Sequence, residues 1–356
     1  MKVVVLHAYS ADNAGDGILV EETLALLAEA LGSPPEVTLL ASRPQSFAHL
    51  DVVALPTVPG RRGYDPRTRR VLRDLAGVDL VIAVGGGYLR AGTPLEAAKS
   101  VLVQGPQLWA AARTATPTLY LPQSIGPVRW PLRAPLRALL QKMDGVLLRD
   151  DRSVAELALS NAQRSPDLAI RLVTSGRRPG SVPDAVPVLS VRAVRGRVPA
   201  GVYTLASRLA VFDSYLQSTT GGNNDRAATA SFAARHSVER ETLMGGTGAV
   251  RVVVAMRLHA ALMAMAAGHY VVHLSYERKG FGAFGDLGLD DWVHNANTMD
   301  VAKVQRQVQL LTSDAGARAS YDAAIAGAAA AIRQRHSDSV SSIRDLVDRS
   351  VSARPR

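Results

Sequence analysis

Residues 250–279 read VRVVVAMRLHAALMAMAAGHYVVHLSYERK, and this stretch decides the fold. Val250 to Val254 is a β-branched run suited to a buried strand. A turn at Met256-Arg257-Leu258-His259 feeds an Ala/Met/Leu segment reaching Ala267, long enough for about three helical turns. Gly268 is placed to end that helix, and Tyr270 to Ser275 forms a second strand running into Tyr276-Glu277-Arg278-Lys279. The unit is β-α-β, with charged clusters just past the ends of two strands. In an open α/β sheet, ligands bind at that edge. Arg257, His259 and Lys279 therefore offer two fixed cations and one group that titrates near neutrality, beside a helix N-terminus with partial positive charge. Such a site suits a small anion carrying phosphate or carboxylate.

Working outward, the N-terminal half alternates strands and helices in the same way. Strands are expected at Lys2 to His7, Val37 to Ala41, Val78 to Val84, Thr118 to Leu121 and Gly145 to Leu148. Helices are expected over Gly17–Leu31, Pro94–Arg113, Leu132–Lys142 and Ser153–Leu159. Residues 42–76 read as arginine-rich and irregular, with a helix near Arg67 to Leu75. Residues 171–186 (RLVTSGRRPGSVPDAV) break the pattern and read as a linker. A second alternating series follows: a strand from Val188 to Val194, a helix at Val202–Leu209, a strand at Val211–Gln217 and a helix at Arg226–Arg235. An Ala-rich helix covers Ser320 to Ser350. The expected fold is α/β: two tandem Rossmann-like domains facing a cleft, a GT-B-like arrangement. The expected divisions are 1–175, 186–315, and a C-terminal helix and tail over 316–356.

Composition narrows the function. The 356 residues are 47% hydrophobic and 20% charged, a globular balance. There is no cysteine, which removes disulfides, thiolate metal sites and a cysteine nucleophile. No apolar run is long enough for a membrane span or a signal peptide, so a cytoplasmic protein is expected. The net charge of +10 is mostly arginine and fits anionic partners: phosphorylated substrates, a lipid-linked diphosphate, or the inner face of a membrane, touched at most peripherally. Basic residues are scattered and aromatic residues are 5% of the chain, so nucleic acid is not expected.

Several strand-end motifs have two readings. Asn13-Ala14-Gly15-Asp16 follows the first strand; Gly15 permits close approach of a ligand, and Asp16 either orients a substrate hydroxyl or caps the helix. Gly85-Gly86-Gly87 is a sugar or phosphate cradle or a tight turn, without dinucleotide or P-loop spacing. Gln123 with Ser124 and Gly126 offers an amide to a sugar or carboxylate, or forms a polar loop. Arg149 ends a strand where a guanidinium could bind an oxyanion, and Asp150 to Ser153 reads as a local cap. The loop ending Gly221-Gly222-Asn223-Asn224-Asp225 reads as a tip. His259 stands apart from His7, His49, His236, His269, His273 and His294, none of which has its setting. No His or carboxylate pattern suggests a metal.

Together, Asn13-x-Gly15-Asp16, Gly85-Gly86-Gly87, Gln123-Ser124-x-Gly126-Pro127, Arg149-Asp150-x-x-Ser153, Pro166-Asp167, Arg257-Leu258-His259 and Tyr276-Glu277-x-Lys279 resemble the polysaccharide pyruvyl transferase family. The resemblance implies a GT-B-like fold and transfer of pyruvate from phosphoenolpyruvate, as co-substrate and without a cofactor, to sugar hydroxyls in cell-envelope polysaccharide biosynthesis. On that reading, the N-terminal domain takes the acceptor and the C-terminal domain takes the donor. His259 and Asp16 would be catalytic, and Arg257, Leu258, Lys279 and Arg149 would bind the donor. Asn13, Gly86, Gln123 and Tyr276 would face the acceptor sugar, which could be lipid-linked. A nucleotide-sugar glycosyltransferase and a non-catalytic sugar- or anion-binding protein remain as alternatives.

Overall fold

The structure is a computed structural model that describes residues 1–129, 131–176, 182–219, 224–245 and 248–353. Among them the chain divides into two compact units. Unit 1 holds residues 1–11, 16–168 and 335–356; unit 2 holds 12–15 and 169–334.

Unit 1 is built on seven parallel strands: β1 (Lys2–Ala8), β2 (Glu36–Ala41), β3 (Val53–Pro56), β4 (Leu80–Ala83), β5 (Thr118–Gln123), β6 (Gly145–Leu148) and β7 (Ala162–Arg164). Their order is β3-β2-β1-β4-β5-β6-β7, so the order reverses between β1 and β4. Every residue of β4 and β5 is buried, as expected for central strands covered on both faces. On one face, helix Ala14–Leu31 contributes Leu19, Leu26 and Leu27, joined by Val340, Ile343 and Leu346 of the C-terminal helix Ala315–Ala353. The other face is covered by Leu75, Leu108, Ala111, Leu140 and Leu157.

Unit 2 carries five parallel strands: β8 (Val188–Ser190), β9 (Asp213–Ser214), β10 (Val252–Ala255), β11 (Tyr270–Ser275) and β12 (Val293–Asn295). Their order is β12-β11-β10-β8-β9, with the reversal between β8 and β10. The opening stretch forms as expected: Val252 to Ala255 is fully buried, helix Leu258–Ala266 follows, and Gly268 leaves it at φ 98°. Both sheets are Rossmann-like.

The structure corrects several expectations. The segment 42–76 contains an edge strand, β3, whose four residues run from exposed Val53 to buried Leu55 and end in Pro56, too short a signal against its arginine-rich surroundings. The linker reading of 171–186 fails at its start: Ile170–Gly176 is a helix packed on Leu258–Ala266, and the main stretch of unit 2 runs from Ala169. Residues 177–181 lie outside the described residues. The helix expected over 94–113 is interrupted by a wider turn, Ser100–Gln104. Gly105 N–H reaches Ser100 O there, and Pro106 has no N–H to continue the ordinary ladder. The tail expected at 316–356 is no separate piece, since its helix belongs to unit 2 up to Gln334 and to unit 1 from Arg335. Strands β7 and β12 and helices Arg240–Met244, Arg278–Asp286 and Val301–Ser313 were not expected.

Candidate functional site

The carboxyl ends of β8, β10 and β11 bring most of the expected cationic residues into unit 2. Arg257 is the N-cap residue of helix Leu258–Ala266 and makes no side-chain cap. Its guanidinium instead grips Asp225 through two hydrogen bonds, Nε to Oδ2 at 2.5 Å and Nη2 to Oδ1 at 2.9 Å. Asp225 is 2% exposed, so it is the buried seat of Arg257 and not a loop tip; Gly221, Gly222 and Asn223 lie outside the described residues. Burial pushes the Asp225 carboxyl above its ordinary value, and Arg257 and Arg192 oppose that shift. Leu258 is 3% exposed and packs in the core, so its side chain does not meet a donor. Lys279 pairs with Glu277 at 2.9 Å, and both side chains are half-buried.

Arg192, absent from the expected set, stands just past β8, on the other side of the strand-order reversal from Arg257. Its Nη1 donates to Tyr276 Oη at 2.7 Å, and its guanidinium carbon lies 5.2 Å from the Tyr276 ring centroid. Three cations, Arg192, Arg257 and Lys279, thus face two carboxylates at this sheet edge. A strand end lined by guanidinium and ammonium groups suits a small anion.

His259 is the second residue of the helix after β10; the residue is half-buried and its Nε2 is enclosed by the protein. Residues 12–15 belong to unit 2, where Asn13 pairs by backbone with Ser218. This pairing lays Gly15 flat against the imidazole. A Cβ on Gly15 would fall 2.6 Å from His259 Cγ and 2.7 Å from its Cβ. Gly15 is therefore needed to seat the histidine, rather than to approach a ligand. Gly15→Ala should displace the ring by about an ångström, a misplacement that costs about a hundredfold in turnover. Steady-state kinetics beside a thermal melt would check this, and unchanged turnover would show that the ring has room to move.

The remaining expected residues lie in unit 1. Asp16 is in the first turn of helix Ala14–Leu31 and is half-buried. Arg149 is 2% exposed, ion-paired with Asp167 and donating from Nε to Ser124 Oγ at 3.1 Å. A guanidinium so enclosed ties strand ends together and has no surface for a donor. Gln123 is fully buried, with no hydrogen-bond partner at Oε1 among the described residues, and Gly86 is buried. Asp150 does cap helix Asp151–Leu157, accepting from Ser153 N–H and Oγ at 2.8 Å each.

The strand-order reversal of unit 1 holds a cluster that sequence reasoning passed over. His7 near the end of β1 sits at φ 68°, where the pairing of β1 with β2 shifts register. Nδ1 lies 2.6 Å from Gln104 Oε1, Nε2 lies 3.0 Å from Tyr120 Oη, and the ring stacks on Tyr88 at 4.6 Å. Burial lowers the imidazole to about 4. At neutral pH Nδ1–H therefore donates to Gln104, and Nε2 accepts from Tyr120. Tyr88, directly after Gly85-Gly86-Gly87, is the half-exposed face of this cluster. Among the described residues, no group of three His, Asp or Glu side chains is placed to hold a metal ion.

The family model for polysaccharide pyruvyl transferase matches residues 13–278, well over half of the chain. The chain belongs to the polysaccharide pyruvyl transferase family. The match begins at Asn13 and ends at Arg278, so it takes in Gly15, Asp225, Arg257 and His259. No curated protein matches the sequence. Solved structures show the fold of the family member. The α,α-trehalose 6-phosphate synthase from Burkholderia multivorans is 12% identical, with 99% of each chain covered and a TM-score of 0.53. A trehalose-6-phosphate synthase studied with bisubstrate glycomimetics is 11% identical over 100% of both chains, at 0.54. An α-glucosyltransferase in complex with UDP and DNA is 10% identical, covering 98% of this chain and 100% of its own, at 0.53. The fold is GT-B-like, with two Rossmann-like units.

Proposed function

We propose that the protein transfers pyruvate from phosphoenolpyruvate to two hydroxyls of a sugar, forming a cyclic ketal. The observation that carries this reading is the seat of His259 against Gly15, beside the cationic edge of Arg192, Arg257 and Lys279, in a chain of this family. Phosphoenolpyruvate carries a phosphate and a carboxylate, and both need cations. Arg257, held by Asp225, presents a fixed guanidinium, while Lys279, paired with Glu277, supplies a point charge. The N-terminus of helix Leu258–Ala266 adds to the field.

His259 protonates the methylene carbon of phosphoenolpyruvate, leaving an oxocarbenium-like centre at C2. A sugar hydroxyl attacks C2 and returns its proton to His259, which restores the acid. The second hydroxyl then attacks C2 as the C–O bond to phosphate breaks, and its proton leaves with the phosphate.

The test is incubation with phosphoenolpyruvate and a panel of sugar acceptors, read by mass spectrometry and phosphate release. A product heavier by pyruvate less water supports the reading. In thermal shift, phosphoenolpyruvate should stabilise the protein and UDP should not. Stabilisation by UDP alone would move the assignment to a nucleotide-sugar donor. Arg257→Ala should weaken phosphoenolpyruvate binding by roughly tenfold to a hundredfold, the value of charge-assisted hydrogen bonds. Calorimetry showing unchanged affinity would remove Arg257 from the donor site.

A further inference from the structure

One face of unit 1 carries an outward surface that the proposed reaction does not use. Helix Pro94–Lys99 runs through the wide turn Ser100–Gln104 into helix Gly105–Ala111. Along this segment Leu95, Leu102 and Trp109 are 66%, 53% and 56% exposed, and Val101 is 52% exposed. The first three stand at seven-residue intervals along it, and with Val101 they are the apolar ridge that the segment turns outward. Large apolar side chains standing together in water mark a binding surface.

Cations flank the ridge on both sides. The Arg113 guanidinium lies 4.6 Å from the Trp109 ring centroid, and Lys99 is exposed. Helix Pro66–Arg73 packs against Gly105–Ala111 and exposes Arg67, Arg69, Arg70 and Arg73. The turn before it exposes Arg61 and Arg62, and is tied to the ridge by Tyr64 Oη donating to Leu102 O at 2.6 Å. Helix Arg133–Leu140 packs on the same central helix and exposes Arg133 and Arg137. Of the nearby carboxylates, Asp65 caps Pro66–Arg73 and Glu96 closes the capping box of Pro94–Lys99, while Asp74 after Arg73 is exposed.

We propose that this face docks on an anionic phospholipid bilayer. Leu95, Leu102 and Trp109 enter the boundary between headgroups and acyl chains, and the arginines meet the lipid phosphates. Helices that combine an apolar ridge with Arg-rich flanks lie in that plane, and tryptophan settles at its polar boundary. The long arginine stems extend the apolar surface while their heads stay with the phosphates. A second copy of the chain fits poorly, because two such faces would bring their guanidinium groups together without counter-charge. Single-stranded nucleic acid fits poorly as well, since the ridge is aliphatic over most of its length and offers one ring for stacking. The proposal is independent of the donor chemistry.

The test is co-sedimentation of the full chain with vesicles of phosphatidylcholine alone and of phosphatidylcholine mixed with phosphatidylglycerol. Binding should require phosphatidylglycerol and weaken as salt rises. Leu102→Ser with Trp109→Ser, and separately Arg69→Glu with Arg70→Glu, should each lower the partition coefficient by about tenfold or more. On the unmodified chain, anionic vesicles should slow amide hydrogen exchange across residues 61–73 and 94–113. Absence of binding to the mixed vesicles, binding that either double variant leaves within about twofold, or protection confined to other segments would overturn the proposal. So would a dimer in light scattering that Trp109→Ser dissociates.

Discussion

Replacing His259 by alanine should lower pyruvyl turnover by about 10²–10⁴-fold while leaving phosphoenolpyruvate binding largely intact. The magnitude is that of removing a general acid–base group that acts on carbon and on a hydroxyl in one cycle. Binding survives because the donor's two anionic groups are proposed to be held by Arg257 and Lys279, neither of which depends on the imidazole: Arg257 is set by Asp225, and Lys279 by Glu277. Rapid-quench turnover and calorimetric affinity, measured on the same preparation, separate the two effects. Near-wild-type turnover would remove the histidine from the chemistry. An equal loss of turnover and affinity would make it a ligand of the donor instead. The next two histidines along the sequence make suitable controls. His269 Nε2 lies 2.6 Å from Leu243 O, and His273 Nδ1 lies 2.7 Å from Ala255 O, so both are occupied by the core.

The largest stability effect is expected at Arg149 and Asp167. Both side chains are 1% exposed and ion-paired, and Ser124 holds the guanidinium from the side. Asp167→Ala leaves a buried cation without its counter-charge and should cost about 3–5 kcal/mol. That is a large fraction of the total stability of an ordinary domain, about 5–15 kcal/mol. Arg149→Met combined with Asp167→Leu removes both charges and should recover most of the loss. Urea unfolding of the single and double variants measures the difference. A single variant costing less than about 1 kcal/mol would mean that water reaches the pair in solution.

The central strands were legible because β-branched and aliphatic runs such as Leu80-Val81-Ile82 and Val252-Val253-Val254 are long enough to be unambiguous. The edge strands were not, since β7 and β12 are three residues each and carry polar side chains. The cationic strand end was legible from Arg257 and Lys279, but its carboxylate seat was not. Asp225 lies in a polar loop, 32 residues from its partner, and nothing local marks it as buried. Arg192 was within reach of the same strand-end argument. Reading the strand on to Val194 placed it mid-strand, whereas β8 stops at Ser190. His7 was passed over because a strand sequence carries no sign of its left-handed backbone. Gly15 was rightly singled out for close approach, but the object approached, His259, comes from the far end of the family match and could not be named from spacing.

The C-terminal helix has a consequence for the order in which the protein is completed. Val340, Ile343 and Leu346 fill the same core as Leu19, Leu26 and Leu27, and burying each is worth about 1.5–3 kcal/mol. On the ribosome, the strands of unit 1 emerge ahead of the end of this helix, with residues 169–334 of unit 2 synthesised in between. Until then, helix Ala14–Leu31 shows part of its apolar face to water. Unit 1 is therefore completed only after most of unit 2 has been made, and a chaperone that shields aliphatic helices would meet it in that interval.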